Sequence, residues 1–185
     1  MKMKKIILIL VFSTLTTLAF SQENMFTLSG GYSFSNIEDS DVSTTGWRIN
    51  GLYEYNQGAG KWAHGFSFGF INSSAEVKET VQTTTWDINT WPLYYAPKYL
   101  FGGEKLKGFV KGAIGWQISN FERTSSLSVI SDSDTGFLGG GGAGASYFIN
   151  EKVFLSAEYE LLYMANSYYK DGLMNTASMG IGIRF

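Results

Sequence analysis

The chain contains one histidine and no cysteine, so few of its side chains could carry out chemistry. Nucleophilic catalysis needs a base and a nucleophile within hydrogen-bond reach, and the nearest such pair in sequence is His64 and Ser67. Three residues apart, they point to opposite faces of a strand. The positions that would share a face with His64 hold Trp62 and Phe66, neither of which is a nucleophile. We therefore predict that the protein is not an enzyme. The absence of Cys also excludes a thiolate metal site, and we predict no cofactor.

Seven charged residues lie on the small-residue face of segments in which bulky and small residues alternate. They are four bases and three acids: Arg48, Glu54, Lys98, Lys111, Glu158, Glu160 and Arg184. An isolated charge enclosed within a protein costs several kcal/mol, so an enclosed set of both signs is expected to form ion pairs. We predict a structural ion-pair cluster, with a gated pore or proton path as the alternative.

The remaining polar stretches between these segments are acidic, with nine acids and three bases. These residues are Glu38, Asp39, Asp41, Glu76, Lys78, Glu79, Glu122, Arg123, Asp132, Asp134, Lys170 and Asp171. Asp132 and Asp134 suggest calcium, but the spacing and turn glycine of an EF-hand are absent, so solvated loops are the simpler interpretation. The formal net charge of −2 argues against a nucleic-acid partner.

The first 21 residues read as an export signal rather than as part of the fold. Lys2, Lys4 and Lys5 precede an apolar run, and small residues stand at Ala19 and Ser21. This layout is typical of a secretory signal peptide, and we predict cleavage after Ser21. Residues 22–185 would then form one exported domain.

Alternation with period two runs through the rest of the chain and predicts strands. In residues 62–70 the even positions hold Trp, His and three Phe, while the odd positions hold only Ala, Gly and Ser. Seven such segments are clear, and an eighth is expected within residues 86–100, with a bulge or an irregular stretch around Pro92 and Pro97. Short connections alternate with long polar ones at residues 36–45, 73–85, 121–135 and 165–174. The prediction is an all-β fold, an eight-stranded antiparallel up-and-down barrel without free edges.

Side-chain volume decides which face of such a barrel points inward. The chain has 14 Phe, 11 Tyr, 5 Trp and 22 Gly. Eight strands enclose a space only just wide enough to be filled by side chains, so the small-residue face fits inside and the bulky face meets lipid. Aromatic residues near the strand ends are expected to form the girdles of a membrane barrel. We assign to these girdles Trp47, Tyr53, Tyr55, Trp62, Tyr99, Trp116, Tyr147 and Tyr163.

The signal peptide, the eight alternating segments and the C-terminal strand together resemble the outer-membrane protein β-barrel domain family, of OmpX and OmpA transmembrane-domain type. In that family the last strand is read by the barrel-assembly machinery, and Gly180, Ile183 and Phe185 match its pattern. The resemblance implies a Gram-negative outer membrane. Some barrels of that membrane modify lipid A with a His and a Ser two residues apart, a spacing that this chain lacks.

We therefore predict an integral outer-membrane barrel with outer-membrane lipid and the assembly machinery as partners. Its role would be structural or a surface interaction with an extracellular partner through four long loops, and polar and ionic side chains would close the lumen. A small pore or transport protein is the alternative. A soluble periplasmic lipocalin-like barrel is a more distant one.

Overall fold

The computed structural model describes residues 23–37, 42–56, 60–78, 83–125, 128–166 and 168–185. The predicted signal peptide lies outside these residues, as do Glu38, Asp39, Asp41 and Glu79. Eight strands follow one another along the chain: β1 (Glu23–Asn36), β2 (Ser43–Asn56), β3 (Trp62–Lys78), β4 (Thr83–Gly102), β5 (Leu106–Ser125), β6 (Val129–Phe148), β7 (Val153–Met164) and β8 (Leu173–Arg184).

Each strand pairs antiparallel with the next, and β8 pairs with β1, so the sheet closes into a barrel. The pairs Met25–Arg184 and Phe34–Asn175 lie near the two ends of the closing seam. This confirms the predicted fold class. The described residues contain no helix long and apolar enough to cross a membrane.

The alternation of side chains sorts the two faces as volume requires. Phe66 and Phe68 of β3 are more than half exposed on the outside, whereas Ser67 between them is fully buried inside. The same sorting leaves Leu93, Ile114 and Ile181 exposed on other strands. A continuous outer surface of large apolar side chains would be unstable in water, which contradicts the soluble lipocalin-like alternative.

The two prolines of β4 do not introduce a bulge. Phe68 pairs with Leu93 and Ile71 pairs with Thr90, so the register between β3 and β4 is the same before and after Pro92. The register between β4 and β5 is likewise the same on both sides of Pro97. Pro92 keeps its pairing with β5 but lacks one with β3, and Pro97 shows the reverse. Each proline therefore removes one donor on one side of the strand, and the register continues. The expectation of a bulge was wrong, and the irregularity consists of a short gap in the pairing at each proline.

Two of the four predicted long loops are mostly strand. β3 continues to Lys78 and β4 begins at Thr83. Likewise, β5 continues to Ser125 and β6 begins at Val129. Glu76, Glu122, Arg123, Asp132 and Asp134 therefore lie on strands, not loops. The sequence does not predict these strand extensions, because a strand that is surrounded by water does not require alternating apolar residues. The third connection that the structure describes in large part, residues 165–172, contains a short 3-10 turn at Lys170–Gly172.

Candidate functional site

Buried charges meet in the middle of the barrel. Arg48 of β2 and Glu160 of β7 form an ion pair across the lumen, with only 3% and 2% of their side chains exposed. Lys111 of β5 reaches both acids of β7, with its Nζ 2.5 Å from a carboxylate oxygen of Glu158 and 2.9 Å from one of Glu160. Because cations and carboxylates share partners here, the network ties three strands together.

Tyr94 of β4 completes this network, and the sequence analysis missed it. Its hydroxyl accepts a hydrogen bond from Arg48 at 2.7 Å and donates one to Glu160 at 2.8 Å. Asn50 adds an acceptor, since its Oδ1 lies 3.2 Å from Arg48 and 2.8 Å from the Ser67 hydroxyl. The sequence does contain a signal for Tyr94. It is an even-numbered position of β4, like Lys98, so alternation predicts that both face inward, opposite to Leu93 and Tyr95.

A glycine makes room for the tyrosine. A Cβ placed on Gly115 of β5 would stand 2.5 Å from the Tyr94 Cα and 2.2 Å from the Leu93 carbonyl oxygen, closer than real contacts allow. The small residues of the inner face therefore leave space for specific large ones.

A second ion pair lies beside this network. The Lys98 ammonium is 2.7 Å from a carboxylate oxygen of Glu54, and both side chains are about 95% buried or more. The same ammonium lies over the ring of Phe109, 4.2 Å from its centroid. Arg48, Glu54, Lys98, Lys111, Glu158 and Glu160 are called the lumen ion cluster below. They are three bases and three acids, so the cluster is neutral overall.

Arg184 does not belong to the lumen ion cluster. It lies at the end of β8, where its guanidinium is 3.7 Å from Glu23 and its Nε donates to the Glu151 carbonyl oxygen at 2.7 Å. More than a quarter of its side chain is exposed. Alternation predicts that Arg184 faces inward, but it does not predict the height of a residue along the barrel axis. Arg184 is the last residue of β8 and therefore lies at the rim.

Apolar side chains close the lumen at both ends, which corrects the expectation that polar and ionic side chains close it. Met25, Phe148 and Phe154 form a cluster at the end of the barrel where β1 begins and β8 ends. A larger cluster at the opposite end includes Ile71, Ile88, Leu138, Leu162, Met164, Tyr169 and Met174. The two cavities next to Lys98 have about 10 Å³ each, room for about one water molecule.

The residues assigned to the girdles all point outward, in two groups. One group lies toward the end where β1 begins and β8 ends, and consists of Tyr53, Tyr55, Trp62, Tyr99 and Tyr147. There the rings of Trp62 and Tyr99 meet edge to face at 5.1 Å. Trp47, Trp116 and Tyr163 lie toward the other end. Trp91, which was not assigned, joins them: Phe70 packs between Trp47 at 5.2 Å and Trp91 at 4.4 Å.

His64 lies on the outer surface among aromatic rings. Its Nδ1 is 2.5 Å from the Tyr95 hydroxyl, and its ring stacks on Tyr55. Ser67 points into the lumen, as the spacing predicts, so the two residues stand on opposite sides of the barrel wall. The described residues contain no group of three or more His, Cys, Asp or Glu able to hold a metal ion, and Asp132 and Asp134 are no exception.

The three residues of the predicted assembly signal form part of the closing seam. Phe185 exchanges two backbone hydrogen bonds with Asn24, and its side chain is 65% exposed on the outer face. Ile183 pairs with Phe26 and faces outward as well. Gly180 faces inward, where a Cβ would stand 2.5 Å from the Leu28 carbonyl oxygen.

Structural comparison identifies other barrels of this type. Neisserial surface protein A (NspA) has a TM-score of 0.59 at 14% identity, covering 88% of this chain and 97% of its own. Ail, the attachment invasion locus protein of Yersinia pestis, has a TM-score of 0.58 at 22% identity, covering 88% and 99%. A second structure of Ail, in complex with the heparin analogue sucrose octasulfate, has a TM-score of 0.54 at 20% identity, covering 88% and 99%.

The comparison with curated proteins finds no significant match. The family model described as "Outer membrane protein beta-barrel domain" matches residues 7–185, nearly the whole chain. The chain therefore belongs to the outer membrane protein β-barrel domain family.

Proposed function

We propose that this outer-membrane barrel serves surface interaction, with a non-enzymatic role carried by its extracellular end. The observation that carries the proposal is the unequal length of the strands. β4, β5 and β6 have 20 residues each, whereas β1, β2, β7 and β8 have 12 to 14. About 9 to 11 residues suffice to span a membrane, so several residues of each long strand would project into the medium.

The parts of β4, β5 and β6 that extend beyond the membrane are called the projecting sheet below. One edge of this sheet, on β6, is unpaired over part of its length. β6 pairs with β5 from Val129 onward, but its pairing with β7 begins only at Leu138. Among the described residues, the backbone of β6 from Val129 to Gly136 therefore has no partner strand on one side, and exposed strand edges are common binding elements. Val129 and Ile130 at the tip are both more than half exposed. Exposed apolar side chains and a strand edge support a role in binding.

The charge of the projecting sheet indicates the chemistry of its partner. Asp87, Glu122, Asp132 and Asp134 lie on it, against Arg123, whose guanidinium stacks 5.4 Å from the Trp86 ring. A net acidic surface disfavours polyanions and favours basic partners. We therefore do not propose for this chain the heparin-analogue binding that the Ail complex displays. A conducting pore is not proposed either, since apolar side chains close both ends of the lumen.

The test trims the projecting hairpin and leaves the barrel intact. Phe121 pairs with Asp132, so residues 122–131 can be replaced by Asn-Gly, a two-residue hairpin turn. Cells displaying the trimmed protein are expected to lose adhesion to immobilised basic extracellular proteins, while heat-modifiable gel migration remains that of a folded barrel. Unchanged adhesion by a folded trimmed protein would disprove the proposal. Planar-bilayer recording provides the control for the pore, and we expect no ion-passing events.

We also propose that export removes residues 1–21. The layout of Lys2 to Lys5, the apolar run and Ser21 supports this cleavage site. N-terminal sequencing of the protein purified from outer membranes tests it, with Gln22 expected as the first residue. Any other first residue would place the cleavage elsewhere.

A further inference from the structure

A vestibule of about 600 Å³ opens at the end of the barrel where β1 begins and β8 ends, the periplasmic end, far from the projecting sheet. Its wall comes from the strand ends and from the turns that join β4 to β5 and β6 to β7, and the Phe148 ring contributes to its floor. Met25 and Phe154 pack against Phe148 from the lumen side. The volume is in the usual range for small-molecule sites, which are commonly apolar with a few polar groups.

Two cations lie against the Phe148 ring, Lys107 from the wall and Arg184 from the rim. The Lys107 ammonium lies 5.2 Å from the centroid of the Phe148 ring, and the Arg184 guanidinium carbon lies 5.3 Å from the same centroid. Arg184 has Glu23 as a partner at 3.7 Å. Among the described residues, no carboxylate lies within ion-pair distance of the half-buried Lys107 ammonium. Glu54 lines the same small inner cavity as Lys107 but forms its ion pair with Lys98. A partly desolvated cation that packs on a ring without a carboxylate in contact is suited to an anion.

A polar group of the wall also lacks a partner. Asn56, at the end of β2, is 4% exposed and lines the vestibule. Its amide nitrogen donates to the Gly60 carbonyl oxygen at 3.0 Å, but its buried Oδ1 has no hydrogen-bond partner. A buried acceptor without a donor is costly, so a ligand that carries an N–H group would satisfy it.

The remaining charges lie farther out and are mainly acidic. Glu104 and Glu151 are exposed at the rim together with Lys105, and half of the Glu23 side chain is exposed. Lys107 and Arg184 are less exposed than these carboxylates. The vestibule is therefore polarised, with the Lys107 ammonium at its floor and carboxylates toward its opening. Such a field orients a ligand that carries one charge of each sign.

We propose that the vestibule binds an α-amino acid or the C-terminal residue of a short peptide, with its carboxylate directed inward to Lys107. The side chain of that residue packs on Phe148, and its ammonium or peptide N–H groups face Asn56 and the rim carboxylates. This site is separate from the proposed surface interaction, because it lies at the opposite end of the barrel and faces the periplasm.

The test uses the whole mature protein in detergent micelles and glycyl-phenylalanine as the probe. Amide resonances of the vestibule are followed by NMR during titration with glycyl-phenylalanine and, separately, with its C-terminal amide, which lacks the carboxylate. We expect the free acid to bind at least about tenfold more tightly, the factor that about 1.4 kcal/mol represents. Phenylalanine alone distinguishes the two sources: comparable binding assigns the site to amino acids, and weaker binding assigns it to peptides.

Variants test whether Lys107 causes the preference for the free acid. Lys107→Gln should remove the preference for the free acid, whereas Lys107→Arg should retain most of it. Lys152→Gln is the matched control, since Lys152 is an exposed lysine of the adjacent β6–β7 turn that does not line the vestibule. Equal binding of acid and amide, competition by acetate as strong as by the dipeptide, or absence of binding would each overturn the proposal. The comparison of acid with amide needs no variant, so it stands even if Lys107→Gln fails to fold.

Discussion

The pair Arg48–Glu160 allows a sharp test of how the lumen contributes to stability. Both side chains are at least 97% buried, and each serves further partners: Arg48 donates to Tyr94, and Glu160 also accepts from Lys111. Removing one member of such a pair leaves a buried charge uncompensated and typically costs about 3–5 kcal/mol. We therefore expect Arg48→Met and Glu160→Met each to lower the free energy of unfolding by about that amount.

The double variant is expected to behave differently. It leaves Lys98 with Glu54 and Lys111 with Glu158, so the lumen remains neutral. Replacing both members of a buried pair by apolar residues is often neutral, and the Tyr94 hydroxyl then loses two partners at a cost of about 1–3 kcal/mol. The double variant should thus be more stable than either single variant.

Urea unfolding in lipid vesicles, followed by tryptophan fluorescence, measures all three variants, with the exposed Glu122→Gln as a control expected to change little. Additive losses, so that the double variant is the least stable, would refute the reasoning. So would single variants as stable as the wild type, since they would show that water reaches the lumen ion cluster.

Three further outcomes are expected. Phe68→Arg places a charge on the lipid-facing surface and should cost about 2–4 kcal/mol in vesicle unfolding, whereas Ser133→Arg, on the exposed part of β6, should cost little; equal losses would contradict the placement of Phe68 within the membrane. Deleting Phe185 should leave unfolded chain in the periplasm, detected as loss of the heat-modifiable form, and normal yield would contradict its role in assembly. Burial and the nearby charge of Asp132 raise the pKa of Tyr168 to about 12 from 10, so the folded state holds the phenol proton longer than the unfolded state. Stability should therefore fall as the pH rises above 10, and Tyr168→Phe should remove that part of the loss.

The architecture could be predicted because period two and side-chain volume are local properties of the chain. The contrast between Phe66, Ser67 and Phe68 identifies a strand and its two faces without knowledge of any neighbour. Eight such segments with short turns then permit closure, and the limited width of the barrel assigns the bulky residues to lipid. Height along the barrel is not local, and for that reason Arg184 was placed in the lumen although it lies at the rim.

The ends of the strands outside the membrane also could not be predicted from the sequence. Residues 73–85 and 121–135 contain polar residues without alternation, the pattern of a loop, yet most of them continue the strands. Strand pairing beyond the membrane depends on a neighbour in register, such as Asp132 opposite Phe121, and not on burial of one face. Local composition therefore could not distinguish a projecting sheet from a loop.

The sequence by itself determined that this chain builds a closed barrel with an apolar outer face and a charged, small-residue inner face, because alternation and volume allow few other solutions. Only the tertiary structure decided which charges meet. Arg48 and Glu160 are 112 residues apart, and Tyr94 joins them from a third strand. It also placed Lys107 and Asn56 around one vestibule. Such neighbours are set by strand register and by position across the lumen, and no spacing along the chain encodes either.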